Sequence, residues 1–216
     1  ALPIWPRKKA VEVPECEWTD HRLLQSSPCK GFKTLLPAHL FACGVHWMMR
    51  EIELADLRSS CVKFDSANRM VTITWQHSKM DTEGRGIART LQCICEEGCD
   101  LRCPYAVLER LVNNATLKGS KDGHLAFSEG GTGATKSEIV GDWRKLYGKA
   151  VSGHSTRRSG ALQYIRKGWA VSQVGYLGRW KSNVILEYAQ EALESLAVNA
   201  SNHFKGSPTE AKAVTK

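Results

Sequence analysis

Gly153-His154-Ser155-Thr156-Arg157, followed by Leu177-Gly178-Arg179-Trp180-Lys181-Ser182 and then Tyr188, decides how this chain reads. A base, a guanidinium, an indole and a phenol fall within one short C-terminal region. His154 and Arg157 are three residues apart, so on a helix they share a face. Guanidiniums bind phosphate bidentately and stay charged. A phenol, with an ordinary pKa of about 10, needs a base and a cationic surround before it can attack. Such a set suits in-line attack on a phosphodiester, where charge on the equatorial oxygens must be stabilised. Taken alone, the same residues are equally a surface histidine, an ordinary arginine and a tyrosine at the edge of a core.

Working outward, 216 residues with 42% hydrophobic content can bury a sizeable core as one domain or one domain plus flanks. The net charge of +8 favours a polyanionic partner, nucleic acid first and anionic membrane second, or serves solubility alone. No apolar run is long enough for a transmembrane helix. The N-terminus lacks the apolar stretch of a signal peptide, and its start without Met suggests a fragment. The eight cysteines are then expected to be reduced thiols of an intracellular protein, cytosolic or nuclear.

Residues 1–30 carry four prolines and little periodicity, as in a linker or the remnant of an upstream module. Phe32 to Leu57 has a helical pattern, interrupted near Gly44. Val62–Phe64, Met70–Trp75 and Ile87–Leu91 read as a three-stranded antiparallel meander, with Lys79 in the polar turn between the last two. Helices are expected from Cys103-Pro104-Tyr105, from the capping box Thr135-Lys136-Ser137-Glu138 through Leu146, over 155–167 with Gly168 closing, over Ser172–Leu177, and over Leu186–Val198. Beyond Asn199 the chain is polar and basic, so a disordered tail is expected over 201–216. The fold class is α+β and mostly helical.

Two further residues complete the set. Arg50 opens Arg50-Glu51-Ile52-Glu53-Leu54-Ala55-Asp56-Leu57, where Glu53 three positions on can brace it. Lys79 at a hairpin tip is a solvated charge unless it reaches DNA, where it can protonate a leaving alkoxide.

Together these boxes resemble the catalytic domain of the tyrosine recombinases, the phage-integrase family. Arg50–Leu57 is similar to the family's first-arginine box, Arg-x-x-Glu-Leu-x-x-Leu. Lys79 falls on the hairpin where the family carries its lysine. Gly153-His154-x-x-Arg157 resembles the His-x-x-Arg box, Leu177-Gly178-Arg179-Trp180 the Leu-Gly-His/Trp box, and Tyr188 the nucleophile. The boxes come in the family's order across residues 31–200. The Gly-Arg-Trp-x-Ser variant resembles recombinases of eukaryotic mobile elements of the DIRS type, which would place the protein in the nucleus.

Two departures stand out. Trp180 precedes Tyr188 by eight residues where the family commonly has nine, a spacing that Arg179 keeps. Trp180 is taken as the pocket residue, with a one-residue deletion. Thirty residues also cannot build the family's separate N-terminal core-binding domain, so a weak grip on DNA is expected.

The resemblance implies a mechanism. Arg50, Arg157 and Trp180 hold the scissile phosphate, and Tyr188 attacks to give a 3′-phosphotyrosyl link. His154 assists, and Lys79 protonates the leaving oxygen. It implies no cofactor and no metal, double-stranded DNA as partner, and further recombinase subunits in a synaptic tetramer. The last helix, with Leu186, Ala189, Leu193 and Leu196 in a stripe, is expected to dock on a neighbouring subunit. The rival readings are an inactive DNA-binding module derived from a recombinase, with 155–180 as a helix-turn-helix, and a type IB topoisomerase-like strand transferase.

Two other patterns carry less. Cys93, Cys95, Cys99 and Cys103 are spaced C-x-C-x3-C-x3-C, whereas zinc sites ordinarily use C-x2-C pairs, so this cluster is not expected to need zinc. Gly130–Ser137 nearly matches a phosphate-binding loop, but Thr135 stands where that loop has glycine. The segment is expected simply to cap a helix.

Overall fold

Helices pack around one buried segment, Ser155–Arg166, in a computed structural model that describes residues 10–20, 31–75, 86–95, 100–180 and 184–204. In chain order the elements are α1 (Glu15–Trp18), α2 (Pro37–His46), α3 (Glu51–Ala55), β1 (Val62–Asp65), β2 (Met70–Trp75), β3 (Ile87–Gln92), α4 (Pro104–Leu117), α5 (Lys136–Tyr147), α6 (Ser155–Arg166), α7 (Val171–Leu177) and α8 (Val184–Phe204). The three strands form the expected antiparallel sheet in the order β1-β2-β3, with Ile73 paired to Val62 on one side and Arg89 on the other. Side chains alternate across a strand, so Val71, Ile73 and Trp75 enter the core while Thr72 and Thr74 do not.

Every residue of α2 is buried, as expected of an apolar helix enclosed on all sides. Pro37 starts it, where the missing N–H costs no hydrogen bond. The helix runs through Gly44 rather than breaking there. A Cβ at Gly44 would lie 2.8 Å from Thr156 Cγ2 and 3.0 Å from Leu54 Cδ1, so this glycine lets α2 and α6 approach closely. The break comes later, at Trp47–Arg50, where Met48 takes a positive φ of 48°. A helix end leaves carbonyls without partners. Here Arg179 donates to the Trp47 carbonyl at 3.1 Å, Arg157 to Met48 at 2.9 Å, and the Thr156 hydroxyl to Met49 at 2.6 Å. Cationic donors at a helix C-terminus also suit its dipole.

Within the stretch 1–30, expected to be a linker or the remnant of an upstream module, residues 10–20 dock on the rest of the chain. Val13 and Trp18 are buried. The Val13 amide donates to Ser159 Oγ at 2.8 Å, Glu12 pairs with Arg166, and Trp18 meets His46 edge-on at 5.5 Å. Two apolar side chains among polar neighbours are enough to dock this stretch on α2 and α6.

The Thr135–Glu138 capping box forms as expected, with the Thr135 amide donating to Glu138 Oε2 at 2.9 Å. It opens α5, whose Asp142 is buried and accepts from the amides of Lys33 and Thr34. At the C-terminus, α8 continues to Phe204, past the end expected at Val198. Ile185, Ala189 and Ala192 are buried against the chain's own α6 and α7, whereas Leu186, Leu193 and Leu196 are exposed. The first half of α8 therefore docks in cis, and the expected stripe splits between two faces.

Candidate active site

Glu53, on α3, is the hub of the site. Its Oε2 accepts the Arg50 amide at 2.8 Å and lies 3.5 Å from Arg50 Nε and 3.7 Å from Arg157 Nη1. Its Oε1 accepts from Arg179 Nη2 at 2.9 Å. Three guanidiniums thus share one carboxylate, and the local charge is net positive. Burial alone would raise the pKa of Glu53, but the charge of Arg179, the Arg50 amide and the charge of Arg157 outweigh it and hold the carboxyl below its ordinary value.

The sequence brings these groups together by three routes. Arg50 is held extended before α3 by its own backbone bond to Glu53. Arg157 projects from the first turn of α6, and its guanidinium bridges the Met48 and Gly178 carbonyls. Burial lowers its pKa to about 10 against the upward pull of Glu53, so it remains a cation at neutral pH. Arg179 follows α7 in a left-handed conformation, φ 58°, and stacks on Trp75 with its guanidinium carbon 3.9 Å from the ring centroid.

Trp180 and Arg179 therefore take different places. Arg179 lies beneath the site, 6% exposed, and its buried Nε has no hydrogen-bond partner among the described residues. Trp180 is half-buried, with the Arg157 guanidinium 4.2 Å from its ring centroid and Tyr188 5.9 Å away in an edge contact. Gly178 permits this fold-back, because a Cβ there would strike the Trp180 ring. Tyr188 is half-buried on α8. Burial raises its pKa, and Arg158 and Arg157 pull the other way. Its phenol is thus protonated at neutral pH and must lose a proton to react.

The structure brings Arg50 and Arg157 together on Glu53, with Trp180 against Arg157 and Tyr188 against Trp180. His154 occupies the N-cap position of α6 without a side-chain capping bond and is exposed, one turn before Arg157. Lys79 lies outside the described residues. Two contributors escaped the sequence. Arg179 is a brace, although its spacing of nine residues before Tyr188 was the available signal. Arg158, next to Arg157, pairs with Glu191 and lies 5.9 Å from the Tyr188 ring. A helix-turn-helix over 155–180 is not favoured, since α6 is a core helix held between α2 and α8. Among the described residues, the one grouping of side chains suited to a metal is Cys93, Cys95 and Cys103, away from this site.

This sequence matches no protein-family model, and no curated protein matches it significantly. Solved structures do match. XerA recombinase is 18% identical with a TM-score of 0.62, over 93% of this chain and 67% of that one. The XerH site-specific recombinase in a post-cleavage complex with palindromic difH is 16% identical with a TM-score of 0.60, over 88% and 52%. A lambda integrase dimer bound to a COC′ core site is 17% identical with a TM-score of 0.56, over 84% and 48%. The chain thus spans two-thirds of XerA and about half of the other two. Its fold is that of the tyrosine recombinase catalytic domain.

Proposed function

We propose that this chain is the catalytic domain of a site-specific DNA recombinase or integrase that breaks and rejoins DNA through a 3′-phosphotyrosyl intermediate. The observation that carries this is the convergence of Arg50 and Arg157 on Glu53 with Trp180 and Tyr188 alongside. Excess positive charge over a half-buried carboxylate is a seat for a phosphate, and a phenol stands at its edge.

Arg50 and Arg157 hold the non-bridging oxygens and stabilise their charge in the transition state. Trp180 can donate its indole N–H to the same phosphate. The Tyr188 oxygen attacks phosphorus and the bond to the 5′-oxygen breaks. The phenolic proton leaves through His154 or water, and Lys79 delivers a proton to the 5′-oxygen. The phosphodiester is exchanged for a phosphotyrosyl ester, so its energy is kept and no nucleotide is consumed. A 5′-hydroxyl then reverses the step on a new strand.

The partners in this reading are double-stranded DNA and further subunits in a synaptic tetramer. The Gly178-Arg179-Trp180 variant supports a mobile-element recombinase of the DIRS kind, acting in a nucleus. No helix among the described residues is long and apolar enough to cross a membrane. Incubation with nicked duplexes that trap the cleaved state tests the proposal. The wild type should form a covalent protein–DNA adduct and Tyr188→Phe should form none. An adduct that survives in the Phe variant, or none with wild type across a randomised duplex library, refutes it.

A further inference from the structure

Three sulfur atoms meet where the sheet hands over to α4. Cys93 and Cys95 follow β3, and Cys103 immediately precedes Pro104 at the start of α4. Their Sγ atoms all lie within 4.8 Å of one another. Those of Cys93 and Cys103 are 3.5 Å apart and belong to free thiols. Disulfide sulfurs would be about 2.05 Å apart. Thiolates at about 2.3 Å from a tetrahedral zinc lie ~3.8 Å from one another, the edge of that tetrahedron. The observed separation is close to that edge.

The linear spacing argued against zinc, because C-x-C replaces the usual C-x2-C. The conformation reverses that argument. Where the chain is extended, residues two apart point to one side, so Cys93 and Cys95 can face the same ion. The backbone is fixed around them. The Cys93 amide donates to Arg69 O at 2.8 Å, and Arg69 Nη1 donates to Cys95 O at 3.4 Å. Cys103 is buried, while Cys93 and Cys95 are half-buried and reachable. Packing alone does not call for this arrangement. Cys43, buried in α2, shows how a lone thiol fills a core as a small hydrophobe.

We propose that Cys93, Cys95 and Cys103 bind a structural zinc ion that clamps the end of β3 to the start of α4. The ion displaces thiol protons on binding and closes the chain between the sheet and the helix. No further His, Cys, Asp or Glu is grouped with these three among the described residues, so the three thiolates take three positions of the tetrahedron and solvent takes the fourth. The proposal is independent of the recombination chemistry.

The test uses the full chain, reduced, loaded with zinc chloride and then desalted without chelator. Expected is about one bound zinc per chain, falling at least tenfold in each of Cys93→Ser, Cys95→Ser and Cys103→Ser but unchanged in Cys61→Ser. Cobalt provides a second readout that does not depend on the variants folding. Wild-type protein titrated with cobalt chloride should show thiolate-to-metal charge transfer and intense tetrahedral d–d bands. Failure of loaded wild-type protein to retain zinc overturns the proposal. So does a weak, six-coordinate cobalt spectrum, or zinc retained undiminished in all three serine variants.

Discussion

Glu53 Oε1 lies 2.9 Å from Arg179 Nη2, and this pair joins parts of the chain 126 residues apart. Arg179 also reaches the Trp47 carbonyl at the end of α2 and stacks on Trp75 of β2. One buried guanidinium thus links α3, α2, the sheet and the turn after α7. Arg50 and Arg157, which the proposed mechanism sets on the phosphate, share the same carboxylate. The two arginines that the proposed mechanism sets on the phosphate thus share their carboxylate with a third that lies beneath them.

Glu53→Gln keeps the shape and removes the charge, leaving three guanidiniums without a counter-ion. Breaking a buried pair from one side costs on the order of 3 kcal/mol, which thermal or urea unfolding will show. The sign with pH follows from the depressed pKa. A carboxyl lowered on folding contributes stability above its unfolded value of 4.5, and that stability is lost as pH falls through the folded value. Wild type should lose stability on this acid limb, and the Gln variant should show a flatter one. Equal slopes below pH 4.5 would show that Glu53 is not held by the arginines.

Arg179 and Trp180 should separate by readout. Arg179→Ala removes the brace, so it should lower stability by roughly 3 kcal/mol and activity with it. Trp180→Ala should keep the unfolding free energy within about 1 kcal/mol of wild type, because the ring is only half-buried. Its adduct formation should fall by more than tenfold. Full cleavage in Trp180→Ala, with Arg179→Ala folded yet inactive, would move the phosphate contact to Arg179.

Two histidines make stability fall at mildly acid pH. Burial lowers His46 from 6.5 to about 4, opposed by its bond to the Leu101 carbonyl, and burial with the charge of Arg110 does the same to His39. A histidine kept neutral on folding costs nothing above its unfolded pKa. As pH drops from 6.5 toward 4 the unfolded chain takes up the proton first, and stability falls by about 3 kcal/mol per residue. His46→Gln should lessen the drop in unfolding midpoint across that window. An identical pH profile in the variant would show that His46 is protonated in the folded state.

The sheet, the capping box at Thr135 and the helices over 155–177 were legible in the sequence, because alternation, a polar cap and glycine stops are local signals. The break after α2 was not. Trp47-Met48-Met49 continues an apolar pattern, and what stabilises the turn is Thr156, Arg157 and Arg179, all more than 100 residues further on. Gly44 misled for the same reason. Glycine destabilises a helix by about 1 kcal/mol, so it reads as an interruption, whereas here it makes room for Thr156. Of the site, Arg50, Arg157 and Tyr188 could be named from their boxes. The role of Arg179 could not, since a buried arginine is recognisable only once Glu53 and Trp75 are seen beside it.

Helix α8 has a buried face and an exposed one. Its Ile185, Ala189 and Ala192 face the chain's own core, and Tyr188 lies among them with its ring beside Trp180 and Arg158. Small alanines at the contact let α8 lie close against α6, so a charged side chain has no room there. Ala192→Asp would bury an unpaired carboxylate and should destabilise by several kcal/mol, dislodging Tyr188 and abolishing adducts. Leu193 is 59% exposed and Leu196 38% exposed on the same helix. Their replacement by serine should leave the unfolding free energy within about 0.5 kcal/mol of wild type. In the recombinase reading this exposed pair is where a second subunit would dock. Leu193→Ser with Leu196→Ser should then keep single-site cleavage while reducing paired-site strand exchange severalfold. Loss of stability in the double serine variant would place these leucines in the chain's own core. Unchanged strand exchange would show that subunits meet elsewhere.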